Sequence, residues 1–262
     1  MKSCKNNEKI LLINDFLSSG NIGGSLCKSV LNFYSFDVDF VPTALISNMF
    51  SLKPIEIFDS SDFLTNTLEV YKKQNRRYKA VFVGFVLNFN QAKIICDFVK
   101  ENNLFMVLDP IMGDSGKIYS GLDKNIVEIY KYMADYAHII IPNLTEARLL
   151  TDNKFKKAHD IVDYFENIGK KFIITSVEDG NRHFILAKDK YFIEEDYKFL
   201  EKSFGGSGDL FDSIFLANYL KNNDFLLAIK NTRDMIACIL DMQIKIDDKA
   251  NDISINEILK KL

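Results

Sequence analysis

A glycine-rich segment that ends in a carboxylate is the part of the sequence best suited to chemistry. It reads Phe204-Gly205-Gly206-Ser207-Gly208-Asp209-Leu210-Phe211 and opens a long helix-periodic stretch. Glycines let the backbone approach a phosphate closely, and the free N–H groups of a helix's first turn attract anions. Gly206, Ser207 and Gly208 are therefore predicted to form an anion hole. Asp209 follows in the first turn, where it could take the proton of an attacking hydroxyl group.

By itself this segment has a simpler interpretation, an ordinary glycine loop before a helix with an acidic first turn. Three other polar segments favour the catalytic interpretation, because each one follows a short apolar run. Ligands of open parallel sheets bind beyond the carboxyl ends of the strands, where such segments would lie. The three are Asp109-Pro110-Ile111-Met112-Gly113-Asp114-Ser115-Gly116 with Tyr119, Pro142-Asn143-Leu144-Thr145-Glu146, and Thr175-Ser176.

The side chains of these segments suit a nucleotide and a hard cation. Asp109 and Asp114 could bind Mg²⁺ through water or contact nucleotide phosphates, although the segment alone could be a turn. Asn143 and Glu146 have the spacing of a capping box, so they could cap a helix, hold a hydrated metal, or do both. The two hydroxyl groups of Thr175-Ser176 could donate to phosphate or simply end a strand.

The elements that would position these residues are predicted from hydrophobic patterns. Short apolar runs, some of them apolar at every position, are typical of central parallel strands covered on both faces. Helix-periodic segments separate these runs and supply the two covering layers. The predicted strands are Lys9–Ile13, Val38–Val41, Ala80–Val83, Leu104–Leu108, His138–Ile141 and Phe172–Thr175, and the predicted helices span 23–35, 61–75, 89–102, 122–134 and 157–169.

The pattern changes in the last third of the chain, where a hairpin precedes a run of helices. Together with the preceding elements this predicts an α/β fold, a three-layer α/β/α sandwich around a central, mostly parallel sheet. We expect residues 1–262 to form a single domain, because the length allows one large α/β core. The stretch 47–60 has no clear period. The predicted hairpin joins Phe184–Ala187 to Lys190–Ile193, and the predicted helices span 207–221, 224–241 and 253–261.

Charge and hydropathy argue against several classes of function. The chain of 262 residues has 33 Lys and Arg against 36 Asp and Glu, a net charge of −3, and no basic stripe gathers along it. Nucleic-acid binding is therefore not expected. The polar start, Met1–Lys9, fits neither a signal peptide nor a membrane span, so a cytoplasmic protein without a membrane partner is expected. No Gly-x-x-x-x-Gly-Lys-Ser/Thr occurs, which excludes a P-loop mechanism.

Taken together, the motifs resemble a known family. Their order and spacing are similar to those of the pyridoxal kinase branch of the ribokinase superfamily, over residues 9–221. The combination of four motifs is far more specific than any one of them. The earlier segments 13–23 and 43–48 resemble that family's first strand with its loop and the segment that reaches over the pyridine ring. The matching motifs are Asp-Pro-x-Met-Gly-Asp-x-Gly-x-x-Tyr (109–119), Pro-Asn-x-x-Glu (142–146), Thr-Ser (175–176) and Gly-Ser-Gly-Asp-Leu-Phe (206–211).

The resemblance implies a ribokinase-like kinase that uses ATP and Mg²⁺ to phosphorylate the hydroxymethyl group of pyridoxal or a related B6 vitamer. It implies Asp209 as the general base and Gly206, Ser207 and Gly208 as the anion hole. Asn143 and Glu146 would hold Mg²⁺ and phosphate through water. A homodimer is expected, because members of the family are usually dimeric, and a monovalent cation could be a further cofactor. Asp109 would help to place a cation, and the residues facing ATP would be Asp114, Tyr119, Thr175 and Ser176.

The resemblance also implies an acceptor pocket in which this chain departs from the family. Family members commonly have Ser where Asp15 stands, and His then Thr where this chain has Met49 and Phe50. Hydroxymethylpyrimidine or another small alcohol is therefore an alternative acceptor, and a non-catalytic relative that binds a vitamin or nucleotide is a third hypothesis. The residues expected to face the vitamin are Asp15, Gly20, Ser47 and Asn48.

Overall fold

A computed structural model describes residues 9–50, 52–122, 125–200 and 202–262. Nine of the described strands form one sheet, and two short ones form a separate hairpin. The strands are β1 (Lys9–Leu17), β2 (Asp37–Ile46), β3 (Ile57–Asp59), β4 (Ala80–Val83), β5 (Met106–Leu108), β6 (Gly113–Asp114), β7 (Lys117–Ile118), β8 (Ile139–Ile140), β9 (Lys171–Asp179), β10 (Arg182–Lys188) and β11 (Phe192–Asp196).

The helices cover both faces of this sheet. Among the described helices, none is both long and apolar enough to span a membrane. They are α1 (Gly23–Phe33), α2 (Ser61–Lys73), α3 (Phe89–Glu101), α4 (Ile126–Ala134), α5 (Leu144–Leu150), α6 (Ala158–Asn167), α7 (Ser207–Asn222), α8 (Phe225–Ile246) and α9 (Ile255–Ile258).

The strand order of the large sheet is β11-β10-β9-β8-β5-β4-β1-β2-β3. Its six central strands, from β9 to β2, pair in parallel, whereas β3, β10 and β11 add antiparallel edges. Parallel strands need crossover connections, and helices make these crossovers here. The predicted α/β/α sandwich around a mostly parallel sheet is confirmed.

Strand β1 shows why the central runs are apolar at every position. Leu11 and Ile13 point into the core that α2 to α6 cover, whereas Ile10 and Leu12 point into the core beneath α1, α7 and α8. Successive side chains of a strand face opposite sides, so a sheet covered on both faces buries all of them. The two-sided burial explains a continuous rather than an alternating apolar pattern.

Three differences from the predicted elements have physical causes. The stretch 47–60 contains the short edge strand β3, whose three residues are too few to show a period and include the exposed Phe58. Helix α8 runs on to Ile246, beyond the predicted end at 241. The predicted helix 253–261 is reduced to α9, because Asp252 forms a parallel bridge with Gly205 and keeps the preceding backbone extended.

The predicted hairpin is confirmed, with its turn lying one residue later.

The carboxyl ends of the parallel strands meet along one edge of the sheet. The N–H of Gly84 bonds to the carbonyl of Ile13 at 2.9 Å, and the N–H of Asp109 bonds to that of Val83 at 2.8 Å. The N–H of Thr175 continues the line with a 3.1 Å bond to the carbonyl of Pro142. The polar segments that follow separate strands are therefore neighbours along this edge.

Candidate active site

The carboxylate of Asp209 lies buried in the first turn of α7 and is held from two other elements. Its Oδ2 accepts a 3.0 Å hydrogen bond from the backbone N–H of Gly23, at the start of α1. Its Oδ1 lies 3.4 Å from Asn14 Nδ2 and 3.6 Å from Cys27 Sγ, both of which can donate to it. The side chain is thus oriented by α1 and β1 before any ligand binds.

Asn14 was not predicted from the sequence as a site residue, but the structure makes it the link between three elements. It is completely buried, and its Oδ1 accepts from the N–H of Phe85 at 2.7 Å and from that of Asp15 at 2.9 Å. A Cβ at Gly84 would lie 2.5 Å from the same oxygen, so glycine is required there. The sequence signal was a polar amide at the end of an apolar strand.

The three glycines before Asp209 have different reasons to be glycine. Gly206 has φ +87°, and a Cβ there would lie 2.8 Å from Leu26 Cδ1. A Cβ at Gly205 would lie 3.2 Å from the carbonyl oxygen of Asn251, which accepts the N–H of Gly205 at 2.8 Å. A Cβ at the exposed Gly208 would meet no described atom within 4 Å. Folding therefore requires Gly206, whereas at Gly208 the missing side chain leaves open space beside the helix N-terminus.

Asp15 lies next to Asp209 and carries an unusual charge state. Burial and the nearby charge of Asp209 raise the pKa of Asp15 to about 8. Its Oδ1 is buried and has no hydrogen-bond partner among the described residues. Burial also raises the pKa of Asp209, although the hydrogen bonds from Gly23, Cys27 and Asn14 oppose this shift. Asp15 is thus protonated near neutral pH in the free protein.

The raised pKa of Asp15 makes a prediction for stability. The folded state keeps a proton up to about pH 8, whereas an unfolded aspartate loses it near pH 4, so rising pH favours unfolding across this window. Asp15→Asn should remove this loss. From pH 5 to pH 8 the free energy of unfolding should fall in both proteins, but the fall should be smaller in Asp15→Asn than in the wild type. The difference should be at least about 1.4 kcal/mol, the equivalent of a tenfold change in proton affinity.

Chemical denaturation at several pH values, without ligands, measures this difference. The exposed Asp241 on α8 provides a matched control, because Asp241→Asn removes the same charge at the surface. Equal pH slopes for wild type and Asp15→Asn would show that Asp15 is already ionised at pH 5.

A second buried carboxyl pair lies beside Asp209. Asp109 follows β5, and Asp212 stands one turn after Asp209 on α7; only 6% and 1% of their surfaces are exposed. Burial, the charge of Asp212 and a hydrogen bond with it raise the pKa of Asp109, and burial raises that of Asp212. Asp212 Oδ1 has no hydrogen-bond partner among the described residues. Sequence reasoning missed Asp212, although a carboxylate in an apolar helix three residues after Asp209 was a usable signal.

The predicted capping box at the start of α5 is confirmed. Asn143 Oδ1 accepts from the N–H of Glu146, and Glu146 Oε2 accepts from that of Asn143, both at 3.0 Å. Glu146 Oε1 also accepts from the N–H groups of Met112 and Gly113, at 3.1 and 3.4 Å. Burial and the charge of Asp109 raise the pKa of Glu146. The pair thus caps α5 and fixes the segment that carries Asp109.

The remaining residues predicted to face a nucleotide lie toward the surface. Asp114 is exposed in the hairpin of β6 and β7, where its Oδ1 accepts from the N–H of Ser115 at 2.7 Å. Tyr119 is half-buried, and its ring stacks on Phe50 with centroids 6.5 Å apart. The half-buried hydroxyl groups of Thr175-Ser176 form no hydrogen bond within the part of the chain that the structure describes. These hydroxyl groups are therefore available to a ligand.

In the segment predicted to reach over the acceptor, the side chain that points inward is not one of the two that were expected to face the vitamin. Ser47 Oγ accepts from the N–H of Glu56 at 2.8 Å, and Asn48 Nδ2 donates to the carbonyl of Leu52 at 3.1 Å. Both side chains therefore order their own loop. The buried Met49 points inward instead, and its Sδ lies 3.2 Å from where a Cβ of Gly205 would stand.

Gly20 belongs to the same side of the site. It has φ +93°, and Met49 Cγ lies 3.9 Å from where its Cβ would stand. The N–H of the adjacent Asn21 donates to Asp252 Oδ2 at 2.6 Å, which ties this loop to the C-terminal segment. Met49 thus lies between the loop of Gly20 and the glycine-rich segment before α7.

Comparison with known proteins finds a matching family and related kinases. The family model described as phosphomethylpyrimidine kinase matches residues 52–254. A curated relative, the pyridoxal kinase of Dictyostelium discoideum, is 27% identical over 239 residues, which cover 79% of this chain and 77% of the relative.

Solved structures of pyridoxal kinases share the fold. That of Lactobacillus plantarum superposes with a TM-score of 0.88 at 20% identity, covering 97% of this chain and 96% of the other. That of Leishmania donovani in complex with ADP and pyridoxine has a TM-score of 0.86 at 20% identity, with coverage of 97% and 95%.

Proposed function

The chain belongs to the phosphomethylpyrimidine kinase family, and on this premise we propose that it transfers the γ-phosphoryl group of ATP to the hydroxymethyl group of pyridoxal or a related B6 vitamer. One observation carries the proposal. A buried carboxylate, Asp209, is held ready by Gly23 and Asn14 beside a helix N-terminus that Gly208 leaves open. A proton acceptor next to an anion site is what phosphoryl transfer to an alcohol requires.

In the proposed mechanism Asp209 is the general base. It would accept the hydroxyl proton as the oxygen attacks, while the N–H groups around Gly206, Ser207 and Gly208 stabilise the negative charge that develops. Burial raises the pKa of Asp209 toward the range in which a base works well near neutral pH. The donors Gly23, Asn14 and Cys27 would keep the carboxylate aimed during the reaction.

The residues present fit Mg²⁺, the cation expected with ATP. Asp109 and Glu146 offer the hard oxygen ligands that Mg²⁺ prefers, and the unpartnered Asp15 Oδ1 supports a positive partner in this cluster. Since backbone N–H groups already occupy both Glu146 oxygens, Glu146 would act through water. When bound, the cation would neutralise charge on the phosphates.

The other predicted residues have proposed roles that follow from their places. Asp114, Tyr119 and Asn143 would contact the nucleotide together with the free hydroxyl groups of Thr175-Ser176. Asp15 and Gly20 would face the acceptor, with Met49 packing against its ring. Ser47 and Asn48 would contribute by shaping the loop that carries Met49. We further propose that the chain acts as a single kinase domain, since nine of the described strands, β1 and β11 among them, share one sheet.

Glu146→Gln separates the metal role from the capping role. Glutamine can still cap α5 but loses the charge that would hold a hydrated cation, so the Mg²⁺ concentration for half-maximal rate should rise about tenfold. A titration of Mg²⁺ at fixed ATP measures this. If the curve is unchanged while thermal stability falls, Glu146 serves only as a cap.

A panel of acceptors tests the proposed function. Initial rates of ADP formation with pyridoxal, pyridoxine, pyridoxamine and hydroxymethylpyrimidine should give a kcat/KM for at least one B6 vitamer about tenfold above that for hydroxymethylpyrimidine. Hydroxymethylpyrimidine is the second candidate, because a relative from Aquifex aeolicus is named as a hydroxymethylpyrimidine/phosphomethylpyrimidine kinase and the Met49-Phe50 pair is apolar. A preference for it would keep the reaction and change the acceptor. No ADP formation with any alcohol would instead support a non-catalytic binding protein.

A further inference from the structure

We infer that Asp212 is a direct ligand of the divalent cation that accompanies ATP, and that it forms a two-carboxylate cation site with Asp109. This inference rests on the proposed function for the identity of the cation. It concerns a residue for which neither the sequence motifs nor the mechanism above has a role.

The fold brings the two carboxyl groups together from different elements. Asp109 follows β5 at the carboxyl edge of the sheet, and Asp212 lies on α7, which packs on one face of the sheet with its first turn against Asn14. Residues three apart share one face of a helix, so Asp212 faces the same way as Asp209. The two carboxyl groups lie close enough for the charge of Asp212 to raise the pKa of Asp109.

An acidic cluster alone would not indicate a ligand, but two buried carboxyl oxygens without a hydrogen-bond partner do. Asp212 is 99% buried, yet its Oδ1 has no partner among the described residues, and neither does the buried Oδ1 of neighbouring Asp15. Buried polar atoms without a partner are rare in folded proteins and call for an explanation such as an ion. Two of them beside one carboxyl pair point to a missing positive partner.

The donor set favours a hard divalent cation. Carboxylate oxygens suit Mg²⁺, which proteins usually hold through one or two carboxylates while phosphates and waters complete the octahedron. Within the described residues, no group of three or more His, Cys, Asp or Glu side chains is arranged to hold a metal. The two-carboxylate site would therefore leave several coordination positions to phosphate and water. Such a cation would also relieve the repulsion between two adjacent carboxylates.

The competing explanation is a hydrogen-bonded carboxyl pair that only packs α7 against the sheet. Asp212→Asn distinguishes the two, because asparagine has the same shape and can still hydrogen-bond to Asp109 but is a far poorer cation ligand. A packing role predicts unchanged cation affinity. A ligand role predicts a loss similar to that of Asp109→Asn.

The test is a titration of each protein with Mn²⁺, followed by electron paramagnetic resonance, without nucleotide and with ADP. Wild type and the charge-matched control Asp241→Asn should bind one Mn²⁺ with equal affinity. Asp212→Asn and Asp109→Asn should bind it at least tenfold more weakly in at least one of the two conditions. Wild-type affinity of Asp212→Asn in both conditions would overturn the inference, as would failure of the wild type to bind Mn²⁺ in either. Because no turnover is measured, this result is independent of whether the protein phosphorylates a vitamer.

A second measurement avoids dependence on the folding of the variants. Crystals of the wild-type protein soaked in Mn²⁺ should show an anomalous peak that an oxygen of Asp212 coordinates directly, without an intervening water. A peak ligated by Asp109 alone, with Asp212 beyond coordination distance, would contradict the assignment.

Discussion

Replacing Asp209 by asparagine is expected to lower turnover by about 10²-fold or more, the range for losing a general base, while the fold is kept. The amide oxygen can still accept from the N–H of Gly23, so the main anchor of the side chain survives. An amide cannot take the proton of the attacking hydroxyl group. The affinity for ATP should therefore change little while kcat falls. Initial-rate kinetics at saturating ATP, with nucleotide affinity from calorimetry, measures both quantities.

The Asp241→Asn variant is the control for this experiment, because it removes an equal charge at the exposed surface of α8. Its kcat should match that of the wild type. If Asp209→Asn also retains near-wild-type kcat, Asp209 is not the base. If Asp209→Asn loses kcat because it unfolds, Asp209→Glu is the variant to measure. It keeps a carboxylate but displaces it, so its kcat should also be low.

Gly208→Val should abolish detectable phosphorylation, with kcat/KM for ATP at least about 10²-fold lower, while the protein stays folded. A Cβ at Gly208 would meet nothing within 4 Å outside its own helix turn, so the added side chain begins in open space. It would occupy the space beside the helix N-terminus through which a phosphate must approach the free N–H groups. Losing even one such donor costs about 10²-fold or more in catalysis. Circular dichroism and ATP kinetics together measure the effect.

Gly206→Ala is the contrasting variant. With φ +87° and a Cβ only 2.8 Å from Leu26 Cδ1, alanine is strained there and should cost about 1–3 kcal/mol of stability. Gly208→Val should not show that loss. If Gly208→Val binds and turns over ATP normally, the anion site lies elsewhere.

The enzyme class expected from the motifs, a small-molecule kinase, is confirmed by the family match and the curated relative. The expected homodimer, the cytoplasmic location and a monovalent cation stay predictions. The individual site residues are likewise proposals that the variants above can decide.

The sequence made Asp109, Glu146 and Asp209 candidate site residues because each follows a recognisable strand or glycine signal. It was less informative for Ser47 and Asn48, which order their own loop, while Met49 points toward the glycine loops. Which side of an irregular loop faces inward depends on hydrogen bonds within the loop. No periodic pattern records those bonds.

What the sequence determined by itself is the layered fold and the edge where chemistry could occur. Continuous apolar runs require a sheet covered on both faces, and polar residues after the runs must then gather at the carboxyl edge. Only the tertiary structure decided which of these groups touch. Asn14 and Cys27 lie far from Asp209 in the sequence, and Asp212 lies far from Asp109. They meet because crossover helices bring distant segments together at one strand edge. Their buried contacts also set the charge states of Asp15 and Asp209, since burial depends on neighbours from the whole chain.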